Sequence, residues 1–202
     1  MTAAPPDLIL ASTSSARRAL LGGAGLTFEA VAPGVDEDEV KRSLAAERAT
    51  PDAVAATLAE LKATRISRRR PQALVIGADQ VMVCDGRLFD KPASVAQARE
   101  HLQVLRGRTH ELVSALCVAR GGARIWDCRE RARLTMRNFD DAFLDAYLAR
   151  AGDSVTTSVG CYRLEGLGPH LFARIDGDYF TILGLPLLPL LPFLSGHGIG
   201  LQ

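Results

Sequence analysis

The chain has 202 residues, 48% hydrophobic and 23% charged, and its 24 basic and 23 acidic side chains leave a formal charge of +1. That composition argues against disorder, and the balanced charge argues against a nucleic acid polymer as the main partner while leaving room for a local basic pocket. The four cysteines (Cys84, Cys117, Cys128, Cys161) are scattered without a C-x-x-C pair, so neither a metal knuckle nor a disulfide scaffold is expected; buried free thiols are.

The opening MTAAPPDLIL has no basic region and only a short apolar run, so no signal peptide is expected. Leu8–Ala11 reads as a short buried strand followed by the polar run Ser12–Ser15, with a helix capped near Ser15 and stopped at Gly22-Gly23. Leu26–Ala32 reads as a second strand leading into an acidic loop, Val35–Glu39. Thr50-Pro51 is a strong helix start, with Val54, Leu58 and Leu61 at helical spacing. Lys62 is expected at the edge of that face, with its stem on the core and its ammonium reaching outward. Arg68-Arg69-Arg70 before Pro71 marks an exposed helix end.

Ala73–Gly77 reads as a fully buried strand that ends in Ala78-Asp79-Gln80-Val81, and Asp85-Gly86 is a hairpin turn. Ser94 and Gln97 form a capping-box pattern for a helix closed by Gly107. Strands are expected over Glu111–Ala119 and Arg133–Arg137, then a helix capped by Asp140 and stopped by Gly152. Further strands are expected around Tyr162–Glu165, Leu171–Ile175 and Tyr179–Leu183, with a turn at Asp176-Gly177. Gly184–Leu194 is very apolar, but it is too short to span a bilayer and holds three prolines. The expectation is one α/β domain over residues 1–202, with a mixed sheet, cytoplasmic and without membrane contact.

No P-loop, nucleophile elbow, H-E-x-x-H or dinucleotide fingerprint is present, and His101, His110, His170 and His197 show no ligand spacing. What remains is polar groups at element ends. Ser12, Ser14 and Ser15 precede a helix with Arg17 and Arg18 in its first turn, where backbone N–H groups and arginines together favour an anion. Asp79 follows a very apolar strand and, with Asp36 and Glu37, offers carboxylates for Mg²⁺ or a water. Lys91 stands beside the rigid Pro92. Ordinary helix caps account for the serines and arginines equally well, and for Asp79 and the acidic loop taken singly a turn or cap aspartate and a solvated loop are the commoner case, as a surface lysine is the ordinary one for Lys91.

A resemblance decides between the two. Leu8-Ile9-Leu10-Ala11-Ser12-Thr13-Ser14-Ser15-Ala16-Arg17 resembles the N-terminal signature LxLASxSPxR of the Maf family, with Ser15 where proline is usual. Six more blocks match in order: Val35-Asp36-Glu37; Leu61-Lys62-Ala63; Gly77–Val81 with Lys91-Pro92; Gly107–Glu111; Gly166-Leu167-Gly168; and Gly184-Leu185-Pro186-Leu187. The resemblance implies a fold similar to inosine triphosphatase, a mixed twisted sheet flanked by helices with a cleft between two lobes. It also implies a nucleoside triphosphate pyrophosphatase that needs a divalent cation, Mg²⁺ or Mn²⁺. On this footing Asp79 is the catalytic residue, Ser12, Arg17, Lys62 and Lys91 contact phosphate, and Glu37 joins Asp79 at the metal.

Ala16, Gln80 and Glu165 match the positions that vary with substrate preference. Gln80 and Glu165 look like the subgroup acting on 7-methyl-GTP rather than dTTP and UTP, whereas Ala16 replaces that subgroup's usual tryptophan. Water would attack the α-phosphorus, oriented or deprotonated by Asp79, and the chain would take no partner beyond its nucleotide except a second copy of itself. A non-catalytic nucleotide-binding regulator of septum formation and a nucleotidyltransferase are the alternatives. Intact Asp79, Lys62 and Lys91 speak against the first, and the lack of an acceptor feature speaks against the second.

Overall fold

A computed structural model describes residues 7–201. The opening residues 1–6, on which the signal-peptide expectation partly rests, lie outside the described residues. The chain forms two compact units: one holds the residues up to Gln80, Ser114–Glu130 and the chain from Gly184 on; the other holds Val81–Val113 and Arg131–Leu183. Among the described residues the sheet has seven strands and is mixed, as expected.

In the first unit β1 (Leu8–Ala11) is buried throughout, as a strand covered on both faces must be. It pairs in parallel with β2 (Glu29–Ala30) on one side and with the start of β3 (Leu74–Cys84) on the other. The helices of this unit are α1 (Ser15–Gly23), α2 (Glu37–Ala46), α3 (Pro51–Ser67) and α7 (Leu187–Ser195). Ile9, Ala11 and Val75 pack on Ile66 of α3. Helix α3 lies unusually close to β3 at Gly77, because a Cβ there would stand 2.6 Å from the Ala63 nitrogen and closer still to the Ala59 carbonyl. Only glycine admits that approach.

The second unit is built on antiparallel pairs. β3 turns at Asp85-Gly86, both with positive φ as a two-residue hairpin demands, into β4 (Arg87–Phe89). β6 (Ala123–Met136) pairs antiparallel with β7 (Phe172–Asp176). β5 (Thr109–Arg120) lies between β3 and β6 in the sheet order. α4 (Val95–Leu105) and α5 (Asp141–Ala151) complete the core with Leu102, Leu105, Leu144 and Tyr147. Their caps are the expected ones: Ser94 accepts from the Gln97 N–H at 3.2 Å and Asp140 from the Phe143 N–H at 2.8 Å.

Several local expectations are corrected. Ser14, not Ser15, caps α1. The acidic loop is the start of α2, capped by Asp36, and Glu37, Asp38 and Glu39 complement the positive end of the helix dipole. The strand at Leu26–Ala32 shrinks to two exposed residues at the edge of the sheet. β3 does not end before Asp79 but runs on to Cys84, and β6 starts ten residues before Arg133. Tyr162–Glu165 is a turn, drawn in by the Gly166 and Gly168 N–H groups, which both donate to the Arg163 carbonyl. Tyr179–Ile182 is α6, one helical turn: Asp178 accepts from the Phe180 and Thr181 N–H groups and also from the Thr181 hydroxyl. All four cysteines are free. No described helix is long and apolar enough to cross a membrane.

Candidate active site

The first unit gathers most of the singled-out side chains. Asp79 stands mid-strand in β3 and is 4% exposed. The side chain of Lys62 also contradicts the expectation of an outward ammonium, being equally buried. Its Nζ donates to Asp79 Oδ1 at 2.6 Å and pairs with Glu37 Oε1 at 2.7 Å. Gly77 explains the geometry: the strand and helix approach closely two residues before Asp79, so a lysine on α3 spans the gap to β3. Glu37 comes from the first turn of α2, and its side chain is 43% exposed.

Asp79 Oδ2 is buried and finds no hydrogen-bond donor among the described residues. Burial pushes the Asp79 carboxyl above the usual range, opposed by the charges of Lys62 and Arg17. A half-satisfied carboxylate at such depth is costly unless something else completes it.

Arg17 is fixed from two sides. Its Nε donates to the Gly184 carbonyl at 2.8 Å and its Nη1 to the Ala78 carbonyl at 2.9 Å, with Ser12 Oγ at 3.5 Å. Desolvation by burial lowers its pKa, and the charges of Asp79 and Glu37 oppose that. Ser12 is buried at the end of β1 and accepts from the Ser14 N–H at 3.2 Å. Ala16 lies beside Arg17 in the first turn of α1, half-buried. Gln80 follows Asp79 on β3, and its Nε2 donates to Ser114 Oγ at 2.9 Å.

Ser12, Arg17, Glu37, Lys62, Asp79 and Gln80 therefore belong to one constellation, with Ala16 adjoining. Lys91 and Glu165 belong to the second unit. Lys91 is exposed in the loop after β4, next to the buried Pro92. Glu165 sits on the turn that replaces the expected strand, and its Oε1 accepts from Arg163 Nε at 2.8 Å. The carbonyls of Ala78 and Gly184 were not foreseen as parts of the site. Backbone groups carry no signature in a sequence; the one hint was Gly184-Leu185-Pro186 among the matching blocks.

The site therefore combines a buried carboxylate, a buried lysine, a half-buried arginine and a second carboxylate nearer the surface. Such a set can bind a charged phosphate chain and position a water against it. A family model described as Maf-like protein matches residues 7–197. The chain is 53% identical to a nucleoside triphosphate pyrophosphatase of Rhodospirillum rubrum over 98% of each chain. It is 56% identical to another of that name from Caulobacter vibrioides over 94% of each. A 7-methyl-GTP pyrophosphatase of Rhizobium meliloti is 50% identical, covering 96% of this chain and 97% of its own.

Proposed function

The chain belongs to the Maf family, and from that premise we propose that it hydrolyses a nucleoside triphosphate to the monophosphate and pyrophosphate. The observation that carries this reading is the Asp79 carboxylate, held by Lys62 through one oxygen while the other lies buried without a donor among the described residues. Such an oxygen is a ready acceptor for a proton of the attacking water. Its raised pKa makes it a stronger base than an exposed aspartate. The water attacks the α-phosphorus, and the β- and γ-phosphates leave together.

Arg17 serves the phosphates. With Nε and Nη1 fixed on carbonyls, its plane is set before substrate arrives, and its remaining N–H groups are offered to phosphate oxygens. Lys62 supports Asp79 and adds positive charge near the reacting phosphate. Ser12 adds a further phosphate contact.

A divalent ion, Mg²⁺ or Mn²⁺, fits the donors present. Among the described residues no three metal-binding side chains cluster. Mg²⁺, however, is commonly held by one or two carboxylates with the remaining positions left to water and substrate phosphates. Glu37 would hold it beside the Asp79 carboxylate. When bound, the ion neutralises phosphate charge and lowers the pKa of its water.

For the base, Gln80 and Glu165 favour a modified purine of the 7-methylguanine type. Glu165 would accept from the purine's N–H edge. Ala16 supplies no stacking face. Pyrophosphate release across 7-methyl-GTP, GTP, dTTP, UTP and CTP, with Mg²⁺ or Mn²⁺, tests this reading. Release from at least one nucleotide is expected, and no release from any of them overturns it.

A further inference from the structure

Two observations meet at Gly184. Its carbonyl accepts from Arg17 Nε at 2.8 Å, and it holds φ at 85°, a conformation that other residues adopt only with strain. A Cβ there would stand 3.3 Å from Arg17 Nη2, 3.4 Å from Arg17 Nε and 3.6 Å from Gln80 Cδ. The residue therefore touches two side chains of the site without contributing a side chain of its own. Its neighbours Leu185 and Leu187 are buried, which anchors the backbone on its far side.

We infer that Gly184 is a positioning residue: its carbonyl and its missing side chain set the plane of Arg17 against the triphosphate and keep Gln80 packed beside it. The inference rests on the reading of Arg17 as a phosphate ligand. The Ala78 carbonyl accepts from Nη1 and the Gly184 carbonyl from Nε, so the guanidinium is held at two of its three nitrogens. A methyl group at 3.3–3.4 Å is tighter than ordinary van der Waals contact and crowds the guanidinium at Nε and Nη2. The guanidinium has little freedom to yield, because turning it breaks one of its two bonds. Gln80 is held in turn by Ser114, so it too resists displacement.

Backbone strain alone would also weaken the protein, and Gly121 provides the control. It has φ 60°, and a Cβ built on it meets nothing within 4 Å. Gly121→Ala carries the strain without the crowding. Steady-state pyrophosphate release and thermal melting are measured for the wild type, Gly184→Ala and Gly121→Ala. Both variants are expected to melt lower by similar amounts. Only Gly184→Ala is expected to raise KM, by about ten-fold or more, since small misplacements of a phosphate ligand are costly. Arg17→Lys, which cannot span both carbonyls, is expected to raise KM in the wild-type background and to add little in the Gly184→Ala background.

If wild type is active and Gly184→Ala keeps its KM within two-fold of Gly121→Ala, the positioning role is overturned while the hydrolase reading stands. An inactive wild type fails the hydrolase reading itself. Should Gly184→Ala not fold, Gly184→Asn replaces it, because asparagine tolerates positive φ best among residues with a Cβ. A KM rise is then expected in that variant, and a wild-type KM overturns the role.

Discussion

The Lys62 ammonium meets only one oxygen of Asp79, at 2.6 Å, and turns its other side to Glu37 at 2.7 Å. One cation thus joins a deeply buried carboxylate to a half-exposed one, and the far oxygen of Asp79 is buried without a donor among the described residues. A purely structural ion pair would be expected to satisfy both oxygens, since each unsatisfied buried acceptor costs about 1–3 kcal/mol. The arrangement suits a site where a water proton or a cation completes the set.

Asp79→Asn keeps the shape of the side chain and removes the basic oxygen, while Lys62 retains Glu37 as a partner. Its kcat is expected to fall by about 10³-fold or more, with melting unchanged within a few degrees. Lys62→Met has the opposite profile. It leaves a carboxylate buried without its cation and is expected to cost about 3–5 kcal/mol in urea denaturation. The double variant should recover most of that loss. If it is as unstable as Lys62→Met alone, the pair is not what holds this region together.

Glu37 reaches the site from an exposed helix start, so removing its charge should leave the fold intact. Glu37→Gln in metal-stripped protein is expected to raise the Mn²⁺ concentration giving half-maximal pyrophosphate release by about ten-fold, with kcat at saturating metal less affected. An unchanged metal titration would remove Glu37 from the ion's ligands.

Much of this site could be read from the sequence, and what could not has a physical explanation. Thr50, Ser94 and Asp140 announced their helices because a capping oxygen and the N–H it serves are three residues apart, a local relation. Asp36-Glu37-Asp38-Glu39 was misread as a loop, although the same charges at a helix N-terminus stabilise it. Tyr179–Leu183 is rich in aromatic and β-branched residues like a strand, but Asp178 in front of it and the positive φ of Gly184 behind it close one helical turn. The burial of Lys62 was invisible because it depends on Gly77, fifteen residues later, letting α3 close on β3. The motif resemblance named Asp79, Lys62 and Arg17, while the carbonyls that clamp Arg17 belong to residues whose side chains say nothing.

Glu165 pairs with Arg163 on its turn, with Oε1 accepting from Arg163 Nε at 2.8 Å. Glu165→Gln replaces an acceptor oxygen with a donor at the same place. The ratio of kcat/KM for 7-methyl-GTP over dTTP is expected to fall by about ten-fold, because a purine N–H edge loses its acceptor. A ratio unchanged in the variant would place base selection elsewhere.

His110 gives a prediction about stability rather than turnover. The ring is fully buried, its Nε2 lies 2.8 Å from the Tyr162 hydroxyl, and its Nδ1 has no partner among the described residues. Burial lowers its pKa from 6.5 to about 4. Above pH 6.5 the ring is neutral in both folded and unfolded chains and adds no pH dependence. Between pH 6.5 and about 4 the unfolded chain takes up a proton that the folded one refuses, so stability falls as pH falls across that window. The full shift corresponds to about 3 kcal/mol, lost by the time the pH reaches the folded value. His110→Phe keeps a ring against Tyr162 and Phe172 but cannot titrate, so it should be less stable at pH 7 for want of the Tyr162 bond and yet lose less on acidification. Urea denaturation of both proteins at pH 7 and pH 5 measures the difference. Equal losses for the two would mean that other groups dominate the acid response.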